Sequence, residues 1–174
     1  MKRTIGIVGA GVGGLHLALY LQKHGVDAVI ITDRKPEEYR NSRLLNTVAH
    51  HHVTIAREDY LGIEHWRDPS LFYYYHDHVF NFPQPLHFRG DFTKPSRAVD
   101  YRIYLPALMN DFARRGGKIE FRTIGEGDIA GLVNRFDLLV VSTGKGALGE
   151  LFSYRPEHSP YSQPQRRLCV GLYK

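Results

Sequence analysis

An α/β fold with a parallel sheet is predicted by three features near the start of the chain: an apolar strand, a glycine-rich turn opening a helix, and a second apolar strand ending in an acid. The first strand is Thr4 to Val8, and Gly9-Ala10-Gly11-Val12-Gly13-Gly14 follows it directly. A helical stretch then runs to about His24, where Gly25 suits the left-handed residue that closes a helix. Ala28 to Thr32 forms the second strand, and Asp33 ends it. Strand, helix and strand in this order make a parallel βαβ unit, so the fold expected is Rossmann-like.

The glycines sit where a dinucleotide needs them. Gly9 allows a tight turn, Gly11 lets a diphosphate approach the backbone, and Gly14 lets the helix pack close. The helix N-terminus offers amide donors and the positive end of its dipole to the phosphates. Asp33 lies 19 residues after Gly14, where its carboxylate can accept hydrogen bonds from the ribose hydroxyls of an adenosine and repel a 2'-phosphate. These residues specify an adenine dinucleotide without choosing among such dinucleotides.

Aromatic residues crowd the stretch from Trp66 to Phe92, helical periodicity is lost, and Pro83 and Pro85 interrupt it. Antiparallel strands facing a substrate are expected there. Asp100 to Arg115 returns to helical spacing through Leu105, Leu108, Met109 and Phe112, with Pro106 expected to delay the start to its own position. Lys118 to Arg122 reads as a strand, Asp128 to Asn134 as a short helix, Asp137 to Val141 as a buried strand, and Leu168 to Tyr173 as a last strand.

Composition narrows the function. The 174 residues, 43% hydrophobic and 24% charged, suffice for one globular domain with a real core. The net charge of +5 is spread without a basic run, so no nucleic acid partner is expected. No segment approaches the ~20 apolar residues of a membrane helix. The single cysteine, Cys169, excludes an internal disulfide and fits a cytoplasmic setting. Histidines cluster at 50–52 and at His76 and His78, but neighbours on a strand point to opposite faces, and no metal site is expected.

TDRKPEEY (Thr32 to Tyr39) followed by RLLNTVAH (Arg43 to His50) resembles the oxygenase component of the styrene and indole monooxygenases. PQPLHF (Pro83 to Phe88), SRAVDYR (Ser96 to Arg102), RGGK (Arg115 to Lys118), DLLVVSTGKGALGELF (Asp137 to Phe152) and CVGLYK (Cys169 to Lys174) continue the likeness along the chain. The resemblance implies an FAD-binding domain of the aromatic hydroxylase type, with the antiparallel segment belonging to a substrate domain. It implies FAD delivered reduced by a separate NADH-dependent flavin reductase, a transient partner, and oxygen transfer to an aromatic alkene through a flavin C4a-hydroperoxide. A homodimer is a further expectation.

Residue by residue, the resemblance puts Leu44, Leu45 and Asn46 beside the reacting part of the flavin. Arg34, Arg43, Arg102, Thr143 and Gly144 join Gly9, Gly11, Gly14 and Asp33 in cofactor binding, and Tyr73, His76 and Ser96 line the substrate pocket. FYYYHDH (Phe72 to His78) departs from the glycine-containing aromatic run of the family, which bears on the shape of that pocket. The organisation expected is an FAD-binding domain over 1–65 and 96–155, substrate-facing strands over 66–95, and the start of a further substrate domain over 156–174. Two other readings stay open: an NAD-binding oxidoreductase and a non-catalytic nucleotide-binding remnant.

Overall fold

A computed structural model describes residues 3–43, 47–81, 83–144, 147–153 and 155–163. In chain order the elements are β1 (Thr4–Val8), α1 (Val12–Lys23), β2 (Asp27–Thr32), α2 (Pro36–Arg40), β3 (Thr47–His50), α3 (His52–Leu61), β4 (Phe72–Phe80), β5 (Leu86–Asp100), α4 (Tyr101–Arg114), β6 (Lys118–Phe121), α5 (Ile129–Arg135) and β7 (Leu138–Val141). They form two compact units, one of Met1–Leu45 with Arg102–Lys174, the other of Asn46–Tyr101.

The first unit is built on a parallel sheet in the order β6-β2-β1-β7. Its central strands β1 and β2 are largely apolar because both of their faces are covered. Ile7 and Ile30 pair across β1 and β2 and point to one face, while Val8, Val29 and Ile31 join Ile124, Leu132, Phe136 and Leu148 in a core on the other. Helix α1 is tied to α4: His16 Nε2 and the Tyr104 hydroxyl are 2.7 Å apart, and Gln22 Nε2 donates to the carbonyls of Phe112 and Arg115 at 3.2 and 3.1 Å. Gly25, at φ +70°, closes α1 as expected, with Val26 N donating back to Leu21 O.

One expectation needs correction. Helix α4 starts at Tyr101, and Pro106 lies inside it instead of opening it. Proline removes one donor from the helical ladder but keeps a helical φ, and burial of Tyr104, Leu105, Leu108, Met109 and Phe112 outweighs that loss.

The second unit is an antiparallel sheet in the order β3-β5-β4. In β3 and β5, His50 pairs with Arg97 and Ala49 with Ala98; in β4 and β5, Tyr73 pairs with Ser96, His76 with Gly90 and His78 with Phe88. The register shifts between Tyr73 and Tyr75, an irregularity that re-aims side chains on β4. The histidine triplet leaves the strand that was expected to carry it. His50 ends β3, His51 is the N-cap of α3 and His52 is its first residue. The strand expected at Leu168 to Tyr173 lies outside the described residues.

Candidate functional site

The carboxyl ends of β1, β2, β6 and β7 surround a cleft of about 630 Å³ in the first unit. Its lining comes from the segments after the four strands, Gly9 to Gly13, Thr32 to Arg34, Arg122 to Ile124 and Ser142 to Gly144, together with Tyr39 of α2, Leu105 of α4 and Leu148. The sheet order reverses direction beside β1, and a crevice at such a point is where open α/β sheets bind ligands.

Glycine shapes the cleft by three different means. Gly9 has φ +112°, and a Cβ there would lie 2.5 Å from Ser142 O, so the turn fits against the loop leaving β7 only without a side chain. A Cβ on Gly14 would lie 2.2 Å from Gly9 O, which presses the first turn of α1 onto the β1 loop. Gly11 differs from both: its backbone is extended, at φ −75° and ψ 179°, and a Cβ would meet nothing within 4 Å. The room beside Gly11 is thus open on the cleft side.

Gly11 is also the N-cap of α1, which has no side-chain cap and no acid in its first turn. The first amide groups of a helix lack intrahelical acceptors. Left uncapped, they offer donors and a partial positive charge to an anion. Asp33 is exposed at the cleft edge. Tyr39 is buried against the same region, where burial raises its hydroxyl pKa and a hydrogen bond with Thr32 partly offsets the rise. Donors at one end and a carboxylate at the other suit a diphosphate joined to a ribose, so the residues fit an adenine dinucleotide.

Of the residues singled out for the cofactor, Gly9, Gly11, Asp33, Arg34, Thr143 and Gly144 line the cleft, and Gly14 supports it from beneath. Arg43 is exposed and Arg102 half-buried, and neither is part of that lining. Leu44, Leu45 and Asn46 lie outside the described residues. Sequence reasoning missed Arg122, Thr123 and Ser142, although residues just past the carboxyl end of a parallel strand are where it could have looked.

The second unit gathers the three residues singled out for substrate. Tyr73 and His76 stack with ring centroids 5.4 Å apart, Ser96 shares a hydrogen bond with Tyr73, and Phe92 stands edge-on to His76 at 4.8 Å. Burial raises the pKa of the Tyr73 hydroxyl, and the bond with Ser96 counteracts it. Two neighbouring contacts were not foreseen. His51 Nδ1 lies 2.6 Å from Ser96 Oγ, and the His51 ring meets Phe92 edge-on at 5.9 Å. The sequence marked His51 only as one of the clustered histidines at 50–52, because its place beside Ser96 is set by the start of a helix that the hydrophobic pattern did not reveal.

Behind this cluster is a buried set of charges. Glu58, His50 and Arg97 are each no more than 2% exposed. His50 Nδ1 donates to Glu58 Oε1 at 2.7 Å, Arg97 Nη2 donates to Glu58 Oε2, and Arg97 Nη1 donates to the carbonyl of Trp66 at 3.3 Å. His50 directly precedes His51 in sequence and Arg97 directly follows Ser96, so the network anchors the backbone on both sides of the His51 to Ser96 bond. Among the described residues, no three His, Cys, Asp or Glu side chains are grouped to hold a metal ion. No described helix is long and apolar enough to cross a membrane.

Residues 2–65 match the family described as "FAD binding domain", and residues 144–174 match "Styrene monooxygenase A putative substrate binding domain". Two curated relatives, both styrene monooxygenase StyA, from Pseudomonas sp and Pseudomonas fluorescens, are each 52% identical over the whole chain. The chain spans 42% of the length of each. Among solved structures, the flavin-dependent monooxygenase PieE in complex with FAD and substrate superposes with a TM-score of 0.51 at 18% identity, over 70% of this chain and 24% of that one. A Y270F mutant of MHPCO, 2-methyl-3-hydroxypyridine-5-carboxylic acid oxygenase, gives a TM-score of 0.53 at 18% identity, over 70% of this chain and 32% of that one. At that identity the solved structures establish the fold alone, an α/β fold that PieE and MHPCO share. Over the part of their length that it spans, the chain is similar throughout to the styrene monooxygenases.

Proposed function

We propose that the chain is part of a flavoprotein monooxygenase that epoxidises aromatic alkenes, styrene first and indole beside it, with FAD supplied already reduced. The observation that carries the reading is the open, uncapped N-terminus of α1 beside Gly11, in a chain half of whose residues match StyA. Bound reduced FAD supplies two electrons and the site at which dioxygen is activated, so that one oxygen atom enters the alkene and the other leaves as water.

The chain's own residues have four tasks. The amides of the Gly9 to Gly13 loop and of the first turn of α1 hold the diphosphate, and Gly14 fixes that turn. Asp33 accepts hydrogen bonds from the adenosine ribose, with Arg34 beside it. Arg43, Arg102, Thr143 and Gly144 hold the flavin side, and Leu44 and Leu45 exclude water there while Asn46 donates a hydrogen bond. Tyr73 and His76 line the substrate pocket with ring faces, and Ser96, buried behind them, holds the Tyr73 hydroxyl. The partner is an NADH-dependent flavin reductase that delivers the cofactor by diffusion, in the cytoplasm, and the oxygenase works as a homodimer.

The test is made on the full-length protein with chemically reduced FAD in air and no NADH. Styrene oxide detected by gas chromatography is the expected result. Peroxide formed without any oxygenated product from styrene or indole would remove the monooxygenase reading. Asn46→Ala is expected to raise the share of oxygen lost as peroxide, and an unchanged ratio would strike Asn46 from the site.

A further inference from the structure

One face of the β4 and β5 hairpin carries a run of rings in contact. From the inner end outward, Phe92 meets Tyr73 and His76 at 5.9 and 4.8 Å, His76 meets His78 at 6.1 Å, His78 stacks on Phe88 at 4.7 Å, and Phe88 stacks on Phe80 at 6.2 Å. Residues that pair directly across antiparallel strands share a face, and so do residues two apart on one strand. His76 pairs with Gly90, and His78 pairs with Phe88, so Gly90 belongs to this ring-bearing face.

Nothing in the described chain requires a glycine there. Gly90 is not in the left-handed region of backbone space, and a Cβ built on it would meet no atom within 4 Å. In a strand interior a glycine is a cost, since it packs nothing and loses more backbone entropy than any other residue. What Gly90 does is leave a gap between Phe88 and Phe92, about 13 Å apart along an extended strand, with His76 as the opposite wall.

The charges tell which ligands suit it. On the opposite face, Asp77 accepts from Arg89 Nε at 3.0 Å and Nη2 at 3.3 Å, His87 Nε2 is 3.6 Å from Asp77, and Arg89 lies over the Tyr75 ring at 3.8 Å. The Asp77 and Arg89 pair thus lies on the side away from the rings. The other side presents ring faces and edges, which favour a flat, neutral, aromatic partner.

We propose that Gly90 is a specificity-determining residue: it keeps open a slot between Phe88 and Phe92 that receives the flat ring of a neutral aromatic substrate. This rests on the monooxygenase reading for its chemistry, though the slot itself is a binding claim that stands apart from turnover. Leu at this position would fill the slot, and Ala would narrow it.

The experiment measures indole binding to the full-length protein without flavin, by calorimetric titration, alongside styrene epoxidation with reduced FAD. Gly90→Leu is expected to weaken indole binding at least tenfold and to raise KM for styrene similarly, with FAD affinity unchanged; Gly90→Ala is expected to do so two- to fivefold. Circular dichroism checks that each variant folds, and if Gly90→Leu does not, Gly90→Ala decides. Indole binding that is undetectable, or unchanged in the variants, overturns the slot. Should the variants lose indole while the unaltered protein makes no oxygenated product, the slot stands and the monooxygenase reading falls. Should the unaltered protein epoxidise styrene while Gly90→Leu equals it in KM and indole affinity, the slot falls and the monooxygenase reading stands.

Discussion

The two units build their surfaces from different materials. In the parallel unit the cleft is made of backbone: three glycines, an uncapped helix end and the loops leaving four strands. In the antiparallel unit the corresponding work falls to side chains, with a run of rings on one face and a buried carboxylate bound to an arginine and a histidine behind it. A backbone site is sensitive to the addition of single atoms. A side-chain site is sensitive to their removal, because each group left behind was buried on the condition that it had a partner. Substitutions in the two units should therefore fail in opposite ways.

The largest effect on stability is expected at Glu58. Taking away its carboxylate strands Arg97 and His50, both 2% exposed, and breaking a buried charge network by removing one partner typically costs about 3–5 kcal/mol. Glu58→Ala is expected to lower the unfolding free energy measured by denaturant titration by that amount, and Glu58→Gln by less, since an amide still accepts one bond. A loss below about 1 kcal/mol in Glu58→Ala would mean that the network does not hold the antiparallel unit together.

The same contrast explains what could be read from the sequence. Gly9, Gly11, Gly14 and Asp33 were legible because the demands on them are local: a turn, a close approach and a strand end, each tied to a fixed spacing along one βαβ unit. The antiparallel strands were legible as a class, from aromatic density and prolines, but their register was not. The pairing of Tyr73 with Ser96 spans 23 residues and depends on an irregularity that no local pattern announces. Helix α3 was missed because its one buried face is carried by Glu58 and Leu61, and a carboxylate on a core-facing position hides the apolar period. With that helix unseen, His51 could not be placed at its N-cap, nor Glu58 against Arg97. Pro106 misled for a related reason: the rule that proline breaks helices is local, while the packing of α4 that overrides it is not.

The middle effect belongs to Gly14. A methyl group there would gain helix propensity of about 1 kcal/mol, but its carbon would lie 2.2 Å from Gly9 O, a backbone atom in a turn that has no room to retreat. Overpacking of this kind costs about 1–3 kcal/mol, so Gly14→Ala is expected to lower stability by about 2 kcal/mol and to weaken FAD binding by shifting the loop. Thermal unfolding and a flavin fluorescence titration measure the two. Unchanged stability would show that α1 can slide along the sheet, and the glycine at this place in the fingerprint would not be a packing device.

The smallest effect on stability is expected one turn earlier, and it makes the comparison sharpest. Gly11 has extended backbone that alanine adopts freely, and its Cβ would point into open space. Replacing a glycine N-cap by alanine costs about 0.5–1 kcal/mol, and the less flexible unfolded chain returns about 0.4–1 kcal/mol, so Gly11→Ala should stay within about 0.5 kcal/mol of the unaltered protein. On the proposed reading the diphosphate occupies that open space, and a methyl group there keeps the phosphates from the first amides of α1. FAD affinity is therefore expected to fall at least tenfold, about 1.4 kcal/mol, in a protein whose unfolding curve has not moved. Gly14→Ala and Gly11→Ala thus separate two reasons for a glycine, close packing within the chain and close approach by a ligand. If Gly11→Ala bound FAD as well as the unaltered protein, the open side of that residue would face only water.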